Sequence, residues 1–269
     1  MKHELKMIPG PGWAMQNGMF LFLKRRWEQD KGYLTRVLGY FKDKTYPLQL
    51  FIFPEGTNME NSALERSHKY AEKNNLVKYD YVLHPRVTGF NYIVEQLRKT
   101  SNEGSEGGLL DCIHDVTVAY QEDRCYAEKD LVLGNFPKEI HLHIQKYDMA
   151  DIPTESEDVG RWCVQRWAEK EERLKNFHTG SKSFVEGDEK GKLAADCSLY
   201  KTLALVFWTL FMWASFYAVY VFPLAFWYMI IMSVFYILIS AFGNGTDELQ
   251  LNIHEIRTSL NRGMHMKDD

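Results

Sequence analysis

Residues 202–246 contain no Asp, Glu, Lys or Arg. The runs 203–221 and 224–242 are each long enough for a helix to cross the roughly 30 Å hydrocarbon core of a bilayer, which takes about 20 apolar residues. Pro223 lies between the two runs, where a helix is expected to break. The stretch therefore predicts a transmembrane helical hairpin over residues 201–246. A single bent or re-entrant segment is one alternative, and a buried hairpin of a soluble protein is another.

Charge and cysteine content exclude several classes of function for this chain. The formal net charge of −4 gives no support for nucleic-acid binding, so we expect no nucleic-acid partner. The four cysteines are widely spaced and include no CxxC pair, which argues against a zinc site or a disulfide framework. We therefore expect no metal and reduced thiols at Cys112, Cys125, Cys163 and Cys197.

Ahead of the apolar stretch, strand-like and helix-like segments alternate along the chain. This alternation predicts an α/β domain over residues 1–177, a layered and largely parallel sheet with flanking helices. A polar linker over 178–200 and a polar tail over 247–269 complete the predicted organisation. The predicted strands are 19–23, 48–53, 81–86, 115–120 and 139–144, and the predicted helices are 13–17, 33–44, 61–74, 90–98 and 157–177.

A turn with the sequence Pro54-Glu55-Gly56-Thr57 follows the predicted strand 48–53. Pro54 has no N–H to donate and stops the strand, while Gly56 permits close approach of the backbone to a ligand. Thr57 and Asn58 are good N-cap residues for a following helix. Glu55 is thus expected at the carboxyl end of a strand, where α/β proteins bind ligands. The alternative is a plain strand-to-helix turn with a solvated Glu.

Two basic clusters occupy similar positions at strand ends. Lys24-Arg25-Arg26 follows residues 19–23, and His84-Pro85-Arg86 forms the end of residues 81–86. If these strands are parallel neighbours, their carboxyl ends meet with Glu55 at one edge of the sheet. Arg suits phosphate because its planar fork can bind two oxygens at once. Together with the apolar stretch, the pattern predicts a pocket for a phospholipid. Taken singly, each cluster is better explained as a solvated strand end.

Three short motifs resemble those of one enzyme family. Phe53-Pro54-Glu55-Gly56-Thr57 resembles the third motif of the glycerophospholipid acyltransferases, which include the lysophosphatidic acid acyltransferases. Phe22-Leu23-Lys24-Arg25 resembles the second motif and Leu83-His84-Pro85-Arg86 the fourth. The resemblance extends from about residue 6 to the C-terminal apolar region and is strongest to the lysocardiolipin acyltransferase branch.

The resemblance implies acyl transfer from acyl-CoA to the free hydroxyl of a lysophospholipid, with acyl-CoA as co-substrate and no other cofactor. Arg25, Glu55 and Gly56 match the family positions that bind the glycerol-phosphate part of the acceptor. Thr57, Pro85 and Arg86 complete the expected substrate-binding set. The family also implies an integral membrane protein, which we expect in the endoplasmic reticulum.

The family uses a His general base oriented by an Asp five positions later, in an Asn-His-x4-Asp motif that precedes the second motif. We find no such motif there and expect a chain truncated at its N-terminus, so we name no catalytic residue. His143 and Asp148 have the same spacing but follow the third motif, in an alternating strand pattern that would place them about 16 Å apart. The alternative function is a non-catalytic lipid-binding or regulatory membrane protein derived from this family.

Overall fold

The structure is a computed structural model of the 269-residue chain and describes residues 1–44, 48–98, 109–122, 130, 133–180, 182–184 and 198–265. The predicted loop 101–108 and part of the predicted linker 178–200 lie outside these residues. The helices are α1 (Pro11–Asn17), α2 (Trp27–Lys44), α3 (Asn61–Lys73), α4 (Val87–Arg98), α5 (Ser156–Thr179), α6 (Ser198–Val221), α7 (Pro223–Phe242) and α8 (Thr246–His265). The strands are β1 (Cys112–Tyr120) and β2 (Ile140–Asp148), and short 3₁₀ helices span His3–Met7 and Met149–Asp151.

Every helix predicted from the sequence is present, with small differences at the ends. The largest difference is α2, which begins six residues before the predicted start at residue 33. Apart from Trp27, its first turn is polar and lacks an apolar period, but Glu28 and Asp30 favour a helix N-terminus through the helix dipole. The predicted polar tail also contains a helix, α8, whose Leu251 is buried.

The two apolar helices are of the length and composition that crossing a membrane requires. The candidate membrane spans are Leu199–Val221, with 23 residues, and Pro223–Phe242, with 20 residues. In each span, no residue of the most apolar 18-residue window is buried inside the protein. Pro223 is the first residue of α7, a position that Pro favours because its missing N–H is not needed there. The predicted break between the two helices is therefore confirmed.

The chain divides into two compact units, one formed by Met1–Tyr40 with Gly191–Asp269 and the other by Phe41–Lys190. The predicted domain boundaries at residues 177, 200 and 246 remain a prediction.

In the first unit, the N-terminal segment contacts the helices that follow the linker. Lys6 Nζ lies 2.7 Å from Asp247 Oδ2, and both side chains are buried. The Trp13 ring stacks on Tyr236 of α7 with their centroids 5.1 Å apart. An apolar cavity of about 400 Å³ in this unit contains none of the predicted site residues; its lining includes Trp13, Val219, Tyr228, Met229, Met232 and Tyr236.

The core of the second unit is organised by α5. One hydrophobic cluster joins Leu174 and Phe177 of α5 to Tyr79, Val82 and Ala119. A second cluster joins Val159 and Cys163 of α5 to Phe90 and Val94 of α4. Trp167 of α5 packs against both clusters, so one helix links the two halves of this core.

The sheet differs from the prediction. Strands β1 and β2 confirm the predicted segments 115–120 and 139–144, but they pair antiparallel, with Val116 opposite Ile144 and Val118 opposite Leu142. The predicted largely parallel sheet is therefore wrong for the part of the chain that the structure describes.

Three predicted strands, 19–23, 48–53 and 81–86, are not strands in the structure. Leu23 makes only an isolated parallel bridge to Lys2. The backbone N–H groups of Tyr81 and Val82 donate to the Glu171 carboxylate and are therefore not available for strand pairing. Residues 48–53 keep a strand-like alternation, since Ile52 packs on the core while Phe51 and Phe53 are each 80% exposed.

The start of α3 also corrects an expectation. Its N-cap is Glu60 rather than Thr57 or Asn58. The Glu60 side chain makes no capping hydrogen bond, and residues 57–59 form an irregular connection. Thr57 and Asn58 have good capping chemistry, but the helix begins after them, at Asn61. The capping propensity of a residue does not by itself fix where a helix begins.

Candidate functional site

Glu55 lies in a turn and is half-buried. The indole Nε1–H of Trp167 donates to Glu55 Oε1 at 3.1 Å, and the backbone N–H of Leu83 also donates to this carboxylate. Burial raises the pKa of Glu55 because it disfavours the charged form, while the two hydrogen bonds and the positive charge of Lys170 oppose that rise. The carboxylate is thus held by two donors and keeps acceptor capacity for a ligand hydroxyl.

Gly56 and Arg86 bring two of the predicted motifs together. The backbone N–H of Arg86 donates to the Pro54 carbonyl oxygen at 2.8 Å. A side-chain Cβ placed on Gly56 would lie 3.6 Å from Arg86 Cδ, an ordinary contact distance. Gly56 has φ +73°, so the backbone conformation rather than crowding explains the glycine. The structure therefore places a guanidinium side chain beside the turn that carries Glu55.

The remaining predicted residues lie around this turn or in the other unit. Thr57 follows Gly56 and is exposed, and Pro85 precedes Arg86 and is half-buried. Arg25 belongs to the first unit, whereas the other five predicted residues belong to the second.

Arg25 has an unusual backbone conformation. Its φ is +61°, which L-residues other than Asn and Asp rarely adopt. The buried carboxylate of Asp30 holds this conformation by accepting the backbone N–H of Lys24 at 2.8 Å and of Arg26 at 3.1 Å. Strained backbone of this kind is often retained at binding sites.

Three residues of α5 support the site and were not predicted from the sequence. Besides Trp167, they are Lys170 and Glu171. Lys170 is buried, with Nζ 2.5 Å from Asp115 Oδ1 and 2.7 Å from the Val116 carbonyl oxygen. A signal was present in the sequence, because Lys170 lies in register with the buried positions Cys163 and Leu174 on one helical face, where a charged residue requires a partner.

Glu171 binds the segment that precedes the fourth motif. Its carboxylate accepts the backbone N–H groups of Asp80, Tyr81 and Val82 at 2.8, 2.9 and 3.1 Å. Three consecutive donors fix the backbone immediately before Leu83. No local pattern in residues 80–82 announces this partner, which is about 90 positions away.

His84 has a structural environment. Its Nε2 lies 3.0 Å from the Val77 carbonyl oxygen, which can only accept, so Nε2 carries the proton. The Ser67 hydroxyl then donates to Nδ1 at 2.7 Å, and the Tyr79 ring stacks on the imidazole at 4.3 Å. Burial lowers the pKa of His84, which keeps the ring neutral. Because both ring nitrogens are engaged, His84 is not available as a general base.

His143 and Asp148 lie in the same strand, β2, and pair with Thr117 and Cys112 of β1. Five residues of strand separate them by about 16 Å, so the carboxylate cannot orient this imidazole.

Within the described residues, no three His, Cys, Asp or Glu side chains are grouped in a way that could hold a metal ion.

Comparisons with known proteins identify the family. A model of the acyltransferase C-terminus matches residues 130–209. Lysocardiolipin acyltransferase 1 of Gallus gallus is 44% identical over 262 residues, covering 95% of this chain and 67% of that protein. The chain belongs to the glycerophospholipid acyltransferase family.

Two further relatives match this chain, one over nearly its whole length and one over about two thirds of it. Lysocardiolipin acyltransferase 1 of Danio rerio is 36% identical over 273 residues, covering 94% of this chain and 69% of that protein. Lysophosphatidylinositol acyltransferase 10 of Caenorhabditis elegans is 37% identical over 180 residues, covering 66% of this chain and 44% of that protein. The chain thus spans about two thirds of the length of the lysocardiolipin acyltransferases. No solved structure matches it.

Proposed function

We propose that this chain binds a lysophospholipid and acylates its free hydroxyl, in phospholipid synthesis or remodelling. The observation that carries the proposal is the 44% identity to a lysocardiolipin acyltransferase across 95% of the chain. The joined Glu55 and Arg86 motifs give this identity a physical counterpart, since one offers an acceptor for a hydroxyl and the other a cation for phosphate.

The proposed donor is acyl-CoA. The hydroxyl oxygen of the acceptor attacks the thioester carbonyl, forms the new ester bond and loses its proton to a general base. The C–S bond breaks and CoA leaves as the thiolate, which takes up a proton. No redox partner or metal is needed for this exchange. Glu55 and Arg86 act by orienting the acceptor, which brings its hydroxyl to the thioester.

We propose that α6 and α7 cross the membrane as a hairpin and that the protein resides in the endoplasmic reticulum. The length and apolar composition of the two helices support the first part. Extraction tests it, because a spanning protein stays with membranes in alkaline carbonate and is released by detergent. A fluorescent fusion of the full chain viewed beside an endoplasmic reticulum marker tests the second part.

A second candidate function is lipid binding without chemistry. It is favoured by the placement of His143 and Asp148, because this His-x4-Asp string lies within one strand, where the Asp cannot orient the His. Both candidates use the same acceptor site and differ only in turnover.

The two functions are separated by measuring binding and turnover on the same purified chain in detergent. Lysophosphatidic acid and monolysocardiolipin serve as acceptors, with radiolabelled oleoyl-CoA as donor and chromatographic separation of the product. Turnover that falls in Glu55→Gln supports acyl transfer at the proposed site, whereas acceptor binding without turnover supports the second candidate. Full turnover in Glu55→Ala refutes the site, and loss of turnover in His143→Ala alone refutes the exclusion of that residue.

A further inference from the structure

Glu55 depends on a donor that the protein fixes tightly. Trp167 donates its indole N–H to Glu55 Oε1 at 3.1 Å. The ring of Trp167 packs against both hydrophobic clusters of the second unit, and Lys170 Nζ lies 5.2 Å from its centroid. A side chain held on several sides offers its N–H in one orientation, which is how supporting residues fix the geometry of a site.

The second donor to Glu55 is also held by α5, through the backbone. The Leu83 N–H donates to the Glu55 carboxylate. The residues just before Leu83 are bound by Glu171, which accepts three consecutive backbone N–H groups between 2.8 and 3.1 Å. Glu171 therefore sets the position from which Leu83 donates.

Trp167 and Glu171 are four residues apart and so lie on the same face of α5. We propose that Trp167 and Glu171 are positioning residues that hold the Glu55 carboxylate where it accepts a hydroxyl of the lysophospholipid. This proposal rests on the proposed function, because it assigns the support of that same acceptor site. Neither residue belongs to the motifs that suggested the site.

The pH dependence of lysophospholipid binding gives this role a distinct readout. Its acid limb, the loss of binding as pH falls, follows the protonation of Glu55. Burial places the pKa of Glu55 above its ordinary value, and the bonds from Trp167 and Leu83 counteract that rise. Removing either bond raises the pKa further, so the carboxylate ionises only at higher pH. Among the residues that the structure describes, the charged groups near Glu55 are Lys170, which is paired with Asp115, and Arg86 beside the Gly56 turn.

The test uses the full chain in detergent and 1-oleoyl-lysophosphatidic acid as the probe, with calorimetric binding measured from about pH 4 to pH 8. Trp167→Phe keeps the ring and removes the N–H, and Glu171→Gln weakens acceptance of the backbone donors. We expect each variant to bind about tenfold more weakly near the acid limb, which moves to higher pH. The phosphate of the probe titrates in all variants alike, so the difference between variants reports on the protein.

Matched controls come from the same helix. Glu172→Gln alters an exposed neighbour of Glu171, and Trp162→Phe removes an indole N–H elsewhere on α5. Both are expected to keep the wild-type acid limb. In ¹⁵N-tryptophan-labelled protein, the Trp167 indole signal should titrate with Glu55 and stop titrating in Glu55→Gln, which establishes the contact without any ligand.

The outcomes separate the two proposals. If Trp167→Phe and Glu171→Gln bind the lysophosphatidic acid probe as tightly as the wild type at every pH, the positioning role is refuted and the proposed function stays intact. No binding by the wild type refutes the proposed function and the positioning role with it. An indole signal that still titrates in Glu55→Gln also refutes the role of Trp167. Weaker binding with a displaced acid limb in both variants, and in neither control, supports the proposal.

Discussion

Lys170 and Asp115 form a mostly buried ion pair. Removing one partner should destabilise the protein strongly, whereas replacing both should cost little. Their side chains are 6% and 11% exposed, and Nζ lies 2.5 Å from Asp115 Oδ1. Nζ also donates to the Val116 carbonyl at 2.7 Å and to Thr117 Oγ1 at 3.3 Å. This ammonium therefore satisfies a carboxylate, a carbonyl and a hydroxyl in one place.

Lys170→Met keeps an unbranched side chain that is only one heavy atom shorter, so the cavity it creates is small. It leaves Asp115 charged and without its cation in a mostly buried position. Breaking such a pair by removing one partner costs about 3–5 kcal/mol, whereas replacing both by apolar residues is often neutral or stabilising by about 1–4 kcal/mol. We expect the single variant to lose stability in the first range and Lys170→Met/Asp115→Leu to recover most of it.

The assay is equilibrium unfolding of the full chain in guanidinium chloride, in a nonionic detergent, for wild type, both single variants and the double variant. These four proteins form a double-mutant cycle, which gives the coupling free energy between Lys170 and Asp115 directly. Lys175→Met changes an exposed lysine of the same helix and should shift the free energy of unfolding by no more than about 0.5 kcal/mol. A loss below about 1 kcal/mol in Lys170→Met, or a double variant no more stable than the single one, refutes the reasoning.

Three further predictions follow from backbone conformation and burial. Gly56→Ala should cost about 1–2 kcal/mol of unfolding free energy because φ is +73°, although its Cβ meets no clash; denaturation measures this. Arg25→Gly should keep the free energy of unfolding within about 1 kcal/mol of the wild-type value, because glycine adopts the φ of +61° without strain; the same denaturation measures this. Maleimide at pH 8 should modify Cys112 faster than Cys163, whose burial raises the thiol pKa to about 12, as peptide mass spectrometry would show.

The helices were predictable because their signal is local. In α4, for example, the buried residues Phe90, Ile93, Val94 and Leu97 recur with the helical period, and the prediction missed only its first three residues. The two apolar helices and the break at Pro223 followed from composition and the properties of proline. A helix makes its backbone hydrogen bonds within itself, so the sequence of the segment is sufficient.

Strands were predicted less well because a strand needs a partner. Residues 81–86 have the composition of a strand, yet the Tyr81 and Val82 N–H groups bind Glu171 instead of a neighbouring strand. Nothing within the segment distinguishes a carboxylate 89 or 90 positions away from a pairing strand. The same limit applies to the site, where short motifs identified Glu55 and Arg86, but Trp167 lies 112 positions from Glu55.

The two-stranded sheet shows a further limit, since alternation gives the period of a strand but not which face is buried. The alternation in residues 139–144 places Ile140, Leu142 and Ile144 on one apolar face, and the apolar face of a half-buried strand is expected to cover a core. In the structure these side chains are 57–58% exposed, and His141 of the opposite face packs edge-on against Phe177 of α5 with centroids 5.0 Å apart.

The reason lies in the other strand and in α5. On β1 the inward positions are Asp115, Thr117 and Ala119, and Lys170 binds the first two. Turning the aliphatic face toward α5 would move Asp115 away from Lys170 and leave a buried ammonium unpaired, at a cost of several kcal/mol. One buried charge thus decides the orientation of both strands, and it does so on the helix that also carries Trp167 and Glu171. The polar contacts of α5 therefore determine which face of the sheet packs inward and, through Trp167 and Glu171, where Glu55 is held.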